Sequence, residues 1–346
     1  MMTSHRGKQT WIATLALLVI FMSLIGAVTR LTDSGLSMVE WRPLLGTIPP
    51  LTDAEWQRVF ALYQQIPQYQ VVNFGMSLAD FQFIFWWEWA HRFFGRLILV
   101  YLVGGSVLFY RHFDRRDWGI LVAVLALGAA QAIMGWWMVR SGLAELTSVS
   151  HLRLAAHFAL AVVLLAIVVL WFTRHSPPPV ITNPAIARWR LVALVFWGLT
   201  ALWGAAVAGL DAGLVSHTFP KMGETWLPQA AWSLTPAPKN FLFNSLMVQT
   251  THRVLATGCA LAIVIFALKL TREPNPGAHR LAVGLIAVVV IQYSLGIIIV
   301  TQGVPLVAAS LHQTFALLLF VLLVGTYRGF GSSIRKRPIS PTASQA

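Results

Sequence analysis

Four histidines in this 346-residue chain have the type and spacing for metal chemistry: His91, His157, His252 and His312. The sequence places each at the start of a long apolar stretch or within about a turn of it, and they fall as two pairs, one in each half. The two helices of a pair run in the same direction. At about 1.5 Å of rise per residue their imidazoles fall within a few Å of one level. A neutral imidazole nitrogen is a good iron ligand, and two facing imidazoles between helices form a bis-histidine haem site. A lone histidine at a helix end more often caps carbonyls or meets headgroups; four at repeated positions favour the metal.

The elements that carry them belong to a membrane. With 57% hydrophobic and 11% charged residues, the chain cannot build a soluble globule with a polar shell. Eight apolar runs, near 11–29, 93–110, 118–139, 154–172, 191–209, 254–268, 281–300 and 307–327, are long enough to cross about 30 Å of hydrocarbon. No small-residue cleavage site follows the first run, so it is expected to stay as an anchor. If the N-terminus is cytoplasmic, the inner segments hold fifteen of the 25 Lys and Arg against three acids, Asp114, Asp117 and Glu273. Nearly all of the +13 net charge then lies on the inner face, which puts both termini inside, suits a bacterial inner membrane and argues against nucleic-acid binding.

The fold class expected is an all-α membrane protein with eight transmembrane helices in two pseudo-symmetric four-helix bundles. An internal repeat defines them. Gly26-Ala27-Val28 with Asp33-Ser34-Gly35-Leu36 returns 178 residues later as Gly204-Ala205-Ala206 with Asp211-Ala212-Gly213-Leu214. His91-Arg92, Gln131, Gly135, Val139 and Gly142 return 161 residues later as His252-Arg253, Gln292, Gly296, Val300 and Gly303. The units run 1–174 and 186–330, joined through Pro177, Pro178 and Pro179, with a tail at 331–346 that is expected to be disordered and cytoplasmic. Outer loops near 30–80 and 210–248, with Trp41, Trp56, Trp226 and Trp232, are expected to lie as lids on the interface. Cys259, the single cysteine, excludes an intrachain disulfide and reads as a small core residue. His5, His112, His175 and His279 read as interfacial. His151 and His217 read as outer-loop residues, and His151, a rival ligand, has no counterpart in the second half.

The halves differ at one position that matters for chemistry. Glu88 stands one helical turn before His91, within Phe85-Trp86-Trp87-Glu88-Trp89-Ala90-His91, where the second half has Gln249. A carboxylate among tryptophans at a bilayer edge is costly unless it is paired or functional. It reads either as a proton-exchanging group or as an ion-pair partner of Arg92 or Arg153. Arg92 and Arg253 directly follow their histidines and could meet haem propionates or snorkel to headgroups.

Glu88-Trp-Ala-His91-Arg92, Arg153-Leu-Ala-Ala-His157, Thr251-His252-Arg253 and Ala309-Ser310-Leu311-His312-Gln313 resemble the motifs of haem A synthase, in the bacterial and mitochondrial branch without an outer-loop cysteine pair. Gly35-Leu-Ser-Met-Val-Glu-Trp41 and Phe219-Pro-Lys-Met222 resemble its outer-loop signatures. The resemblance runs from Trp11 to Tyr327. It implies oxidation of the C8 methyl of haem O to a formyl group through a hydroxymethyl stage, giving haem A for cytochrome oxidase. It further implies haem b on His252 and His312, the substrate haem on His91 and His157, Glu88 as the essential acid, and a haem O synthase that hands over the substrate. The electron partner is not named by it. Read from the residues, two other classes compete: a di-haem cytochrome b-type electron carrier, which needs no Glu88, and a transporter, which the nearly charge-free helix interiors disfavour.

Overall fold

The computed structural model describes residues 2–42, 45–144, 146–176, 181 and 183–326; the expected disordered tail and the Pro177–Pro179 linker lie outside them. Eleven α-helices are present among the described residues, in the order α1 (Met2–Leu31), α2 (Asp53–Tyr63), α3 (Pro67–Val71), α4 (Leu78–Phe109), α5 (Arg115–Ala144), α6 (His151–His175), α7 (Pro184–Gly209), α8 (Asn240–Phe243), α9 (Ser245–Leu270), α10 (Pro276–Thr301) and α11 (Leu306–Gly325). No strand occurs among those residues. Eight of the helices, α1, α4, α5, α6, α7, α9, α10 and α11, are long and apolar enough to cross a membrane, so the chain is an all-α, multi-pass membrane protein.

Local chemistry sets the helix starts. Asn183 and Asn275 cap α7 and α10 with their side-chain oxygens, and each is followed by proline at the first helical position, where the missing N–H costs nothing. Ser77 caps α4 by accepting from the Asp80 N–H at 3.2 Å. Outward faces are apolar: Leu97, Val100, Val103 and Val107 of α4 are exposed at helical spacing, as a lipid-facing stripe requires.

The start of α4 corrects the sequence reading. The helix begins at Leu78, so His91 sits thirteen residues in, about 20 Å along the axis, and does not open it. Residues 78–90 stay helical because the loop helix α2 covers them. Trp56, Phe60 and Tyr63 of α2 pack with Phe81, Ile84 and Phe85 of α4 in a buried aromatic cluster. Trp56, expected at the interface, is therefore a core residue, whereas Trp41, Trp226 and Trp232 are exposed. The other three histidines are also deeper than expected, six or seven residues past the first residue of α6, α9 and α11, nearly two turns in.

One of the hydrophobic core clusters runs across both halves, joining Val19 and Ile20 of α1 and Leu165 and Val169 of α6 to Trp197, Ile263, Phe266, Leu285 and Leu323. Gln313 of α11 adds a polar link by donating to Ser23 O of α1 at 2.8 Å. At the end of the first bundle away from the histidines, Asp117 is 1% exposed and binds three helices together. It accepts from Lys8 Nζ at 3.1 Å, Trp171 Nε1 at 2.8 Å and Arg174 Nη1 at 2.8 Å, and meets His175 Nε2 at 2.9 Å. His175, expected at the interface, is thus part of a buried ionic cluster. Arg174 also pairs with Asp114 and holds that carboxyl well below the usual carboxylate range.

Removing one member of a buried ion cluster leaves the others unpaired, at a cost of about 3 kcal/mol. Asp117→Ala should therefore lower the unfolding midpoint of the detergent-solubilised protein, followed by tryptophan fluorescence. An unchanged midpoint would show that Lys8 and Arg174 find other partners.

Candidate functional site

Each of the four histidines rests against a glycine of the preceding membrane helix. A Cβ at Gly26 of α1 would stand 3.2 Å from His91 Nε2, and one at Gly135 of α5 would stand 3.2 Å from His157 Cε1. In the second half a Cβ at Gly204 of α7 would stand 3.1 Å from His252 Cε1, and one at Gly296 of α10 would stand 3.2 Å from His312 Cε1. A Cβ at any of these positions would make each ring shift by a few tenths of an ångström, so the glycines let the rings sit closer to the neighbouring helix than another residue would. His91 lies within electrostatic reach of His157, and His312 within reach of His252. The glycines recur at the repeat offsets, so the signal was in the sequence; their role as ring seats needed the packing.

Polar partners surround the rings. His252 Nδ1 donates to Thr200 O at 3.1 Å, and His312 Nδ1 to Gln292 O at 3.1 Å. The amide of Gln292 lies 3.3 Å from His312 Nε2, and its repeat counterpart Gln131 lies 3.4 Å from His157 Nε2. Buried atoms without a partner gather here: His157 Nδ1, Gln131 Oε1 and Gln292 Oε1. Among the described residues, no group of three or more His, Cys, Asp or Glu is placed to hold a bare metal ion. Two imidazoles per site suit a metal that brings its own equatorial ligands, and iron porphyrin has that donor set.

Glu88 is 2% exposed, and the structure finds the ion pair that was one of its two readings. Its Oε1 meets Arg92 Nη2 at 2.5 Å, while Oε2 accepts from Ser37 Oγ at 2.8 Å and from the Met38 N–H at 2.7 Å. Arg153, the other candidate partner, instead donates to Trp137 O at 2.7 Å and lies 4.2 Å over the Trp137 ring. Arg92 also donates to Met38 O and Glu40 O, so Glu88 and Arg92 together latch the loop that follows α1 to α4. Gln249 does the same in the second half with the opposite polarity, donating to Gly213 O and Ser216 O. Arg253 donates to Ser216 O, Thr218 O and Lys221 O. Both arginines therefore hold loops where headgroup contacts had been one expectation.

One link was not legible from the motifs. Arg30 forms ion pairs with Asp33 and with Asp211, each at 2.8 Å, and so joins the repeated aspartates of the two halves. Those aspartates share a left-handed backbone, with φ of 51° and 50°. The rival ligand His151 begins α6 and packs edge-on against Phe243, with ring centroids 5.2 Å apart, and His217 Nδ1 meets Val300 O.

Fold and site define a class: a membrane protein with eight helices long and apolar enough to span, four of which carry a histidine packed on a glycine of a neighbouring helix, with two loops latched near them. A family model for cytochrome oxidase assembly proteins, COX15-CtaA, matches residues 9–324, and the chain belongs to that family. It is similar to the heme A synthase of Rhodopseudomonas palustris (strain HaA2), 41% identical over an alignment of 330 residues that covers 92% of this chain and 89% of that protein. The heme A synthases of Maricaulis maris (strain MCS10) and Rhodospirillum centenum (strain ATCC 51521 / SW) are 42% and 41% identical over 332 residues, 93% of this chain and 95% and 87% of theirs.

The latch makes a prediction about the loop that follows α1. Arg92→Leu strips Glu88 of its cation and frees the backbone at Met38 and Glu40, so chymotrypsin should cut the purified protein after the exposed Trp41 several-fold faster than wild type. Wild-type resistance after Trp41 would remove Arg92 from the latch.

Proposed function

We propose that this chain is an enzyme of haem A formation that oxidises the C8 methyl of haem O to a formyl group by way of a hydroxymethyl stage, supplying haem A for cytochrome oxidase. The observation that carries this reading is the asymmetry between two otherwise matched histidine pairs: only the His91 and His157 pair has a buried carboxylate, Glu88, one turn away on a ligand-bearing helix. The family's description and the names of the relatives support it over a simple di-haem electron carrier.

In this reading His91 and His157 receive the substrate haem. His252 and His312 would hold haem b, which supplies a one-electron relay when bound. Each oxidation stage withdraws two electrons from the substrate and frees two protons, the oxygen of the hydroxymethyl group would come from a water molecule at that edge, and Glu88 is the group that takes up protons beside it. Arg92 and Ser37 hold the Glu88 carboxylate in place beneath the latched loop. Arg92 and Arg253, one residue beyond their histidines, are the candidates to share their remaining N–H donors with propionates. The substrate is too apolar to cross water freely, which favours direct transfer from a haem O synthase; reducing equivalents pass to a separate electron partner. The excess of basic residues on one face supports an inner-membrane topology with both termini cytoplasmic and the haem sites toward the outer side.

Loss of one axial ligand leaves iron five-coordinate at best, so His252→Ala or His312→Ala should abolish the low-spin haem b spectrum of the purified protein. An unchanged spectrum in either variant would strike that residue from the ligand set. Glu88→Gln tests the chemistry more selectively, because the second half already holds its loop with glutamine at the matching place. The variant should keep haem b yet accumulate haem O or its hydroxylated form in cells with no other source of haem A. Wild-type amounts of haem A would reduce Glu88 to a loop latch.

A further inference from the structure

The two histidine pairs differ in what holds the nitrogen that faces away from the metal. A backbone carbonyl only accepts, so the contacts to Thr200 O and Gln292 O place a proton on Nδ1 of His252 and His312 and leave Nε2 with its lone pair free for iron. The same contacts fix both rings against rotation. In the first half His157 Nδ1 is buried with no partner, and no hydrogen bond to His91 is found among the described residues. The orientation differs as well, because His91 turns Nε2 toward its glycine where the other three rings turn Cε1. Gln131 and Gln292 approach Nε2 alike in both halves, so they do not distinguish the pairs.

We propose that these Nδ1 partners decide which haem stays and which leaves: Thr200 O and Gln292 O lock His252 and His312 as a ready ligand set that retains its porphyrin, while the unlocked His91 and His157 release theirs. This rests on the assignment of cofactor and substrate to the two halves and explains it. A hydrogen-bonded Nδ1–H makes the imidazole a stronger donor to the metal and removes the cost of selecting tautomer and ring angle on binding. Loss of such a partner commonly weakens metal affinity by about 10- to 100-fold. An enzyme that must discharge a bis-histidine-ligated product on every turnover gains from leaving that support out. Thr200, Gln292 and the seats Gly204 and Gly296 are in this view positioning residues for retention.

Matched glycine-to-alanine substitutions separate the hydrogen bond from simple crowding, because all four seats are equally tight. The full-length protein is loaded with haemin, and release is followed by transfer to excess apomyoglobin. Wild type should release haem in a fast and a slow phase, the slow one absent in His252→Ala. Gly204→Ala and Gly296→Ala, which push the rings off their carbonyls, should speed the slow phase tenfold or more, whereas Gly135→Ala, with no Nδ1 bond to lose, should alter the fast phase less than threefold. A slow phase within twofold of wild type in both second-half variants overturns the proposal. A slow phase that vanishes in His91→Ala instead would overturn the assignment of the halves, a separate failure. Wild-type protein gives a reading that does not depend on variant folding. In the haem-free chain, nitrogen-15-edited proton spectra of labelled histidine should show hydrogen-bonded, downfield Nδ1–H protons at His252 and His312 and none at His157. Hydrogen-bonded Nδ1–H protons at all four positions would also sink the idea.

Discussion

An imidazole pressed against a neighbouring helix needs a place on that helix with no side chain, and this requirement organises the protein. Four consecutive helix pairs, α1 with α4, α5 with α6, α7 with α9 and α10 with α11, each meet at one glycine and one histidine. The glycine fixes how close the two backbones come, and the ring sets the depth of the site. Because all four contacts use the same geometry, the two bundles can present matched sites while their remaining side chains diverge. The charged cluster around Asp117 joins the far ends of α1, α5 and α6, so α6, which carries His157, and the two helices that supply Gly26 and Gly135 are tied together there.

Divergence is clearest in the latches. The same task, fastening a loop one turn before a glycine-seated histidine, is done by an acceptor in one half and a donor in the other. Glu88 takes hydrogen bonds from Ser37 and Met38, whereas Gln249 gives them to Gly213 and Ser216. Loop attachment alone therefore does not demand a charge. The first half nevertheless keeps a buried carboxylate and supplies Arg92 to neutralise it, an arrangement that costs desolvation where glutamine would suffice.

The eight spans and the four histidines were readable because they depend on local properties, a run of apolar residues and a repeat of chemically distinctive ones. The extension of α4 back to Leu78 was not, because Phe81, Phe85 and the tryptophans near them look like a bilayer edge until α2, some twenty residues earlier, is known to cover them. Arg92 likewise reads as a headgroup or propionate contact from its neighbours, yet its acceptors Met38 O and Glu40 O lie about fifty residues away. The seats were half-legible: the repeat displayed Gly26, Gly135, Gly204 and Gly296, but hydropathy carries no information about which ring a glycine faces. Hydrogen bonds between a side chain and a distant carbonyl, such as His252 to Thr200, leave no trace in composition at all.

Arg30 carries a consequence for symmetry. Its guanidinium spans the seam and serves the aspartates of both units, but the repeat partner of Arg30 is Ala208, so the cation occurs once. Two identical subunits in a dimer cannot arrange this. Any residue placed at such a seam would appear twice, and two arginines would compete for the same pair of carboxylates. Covalent fusion of the two units removes that rule. The seam then becomes a surface where left and right are free to evolve separately, and a binding site on one side can be reshaped for a passing ligand without loosening its twin.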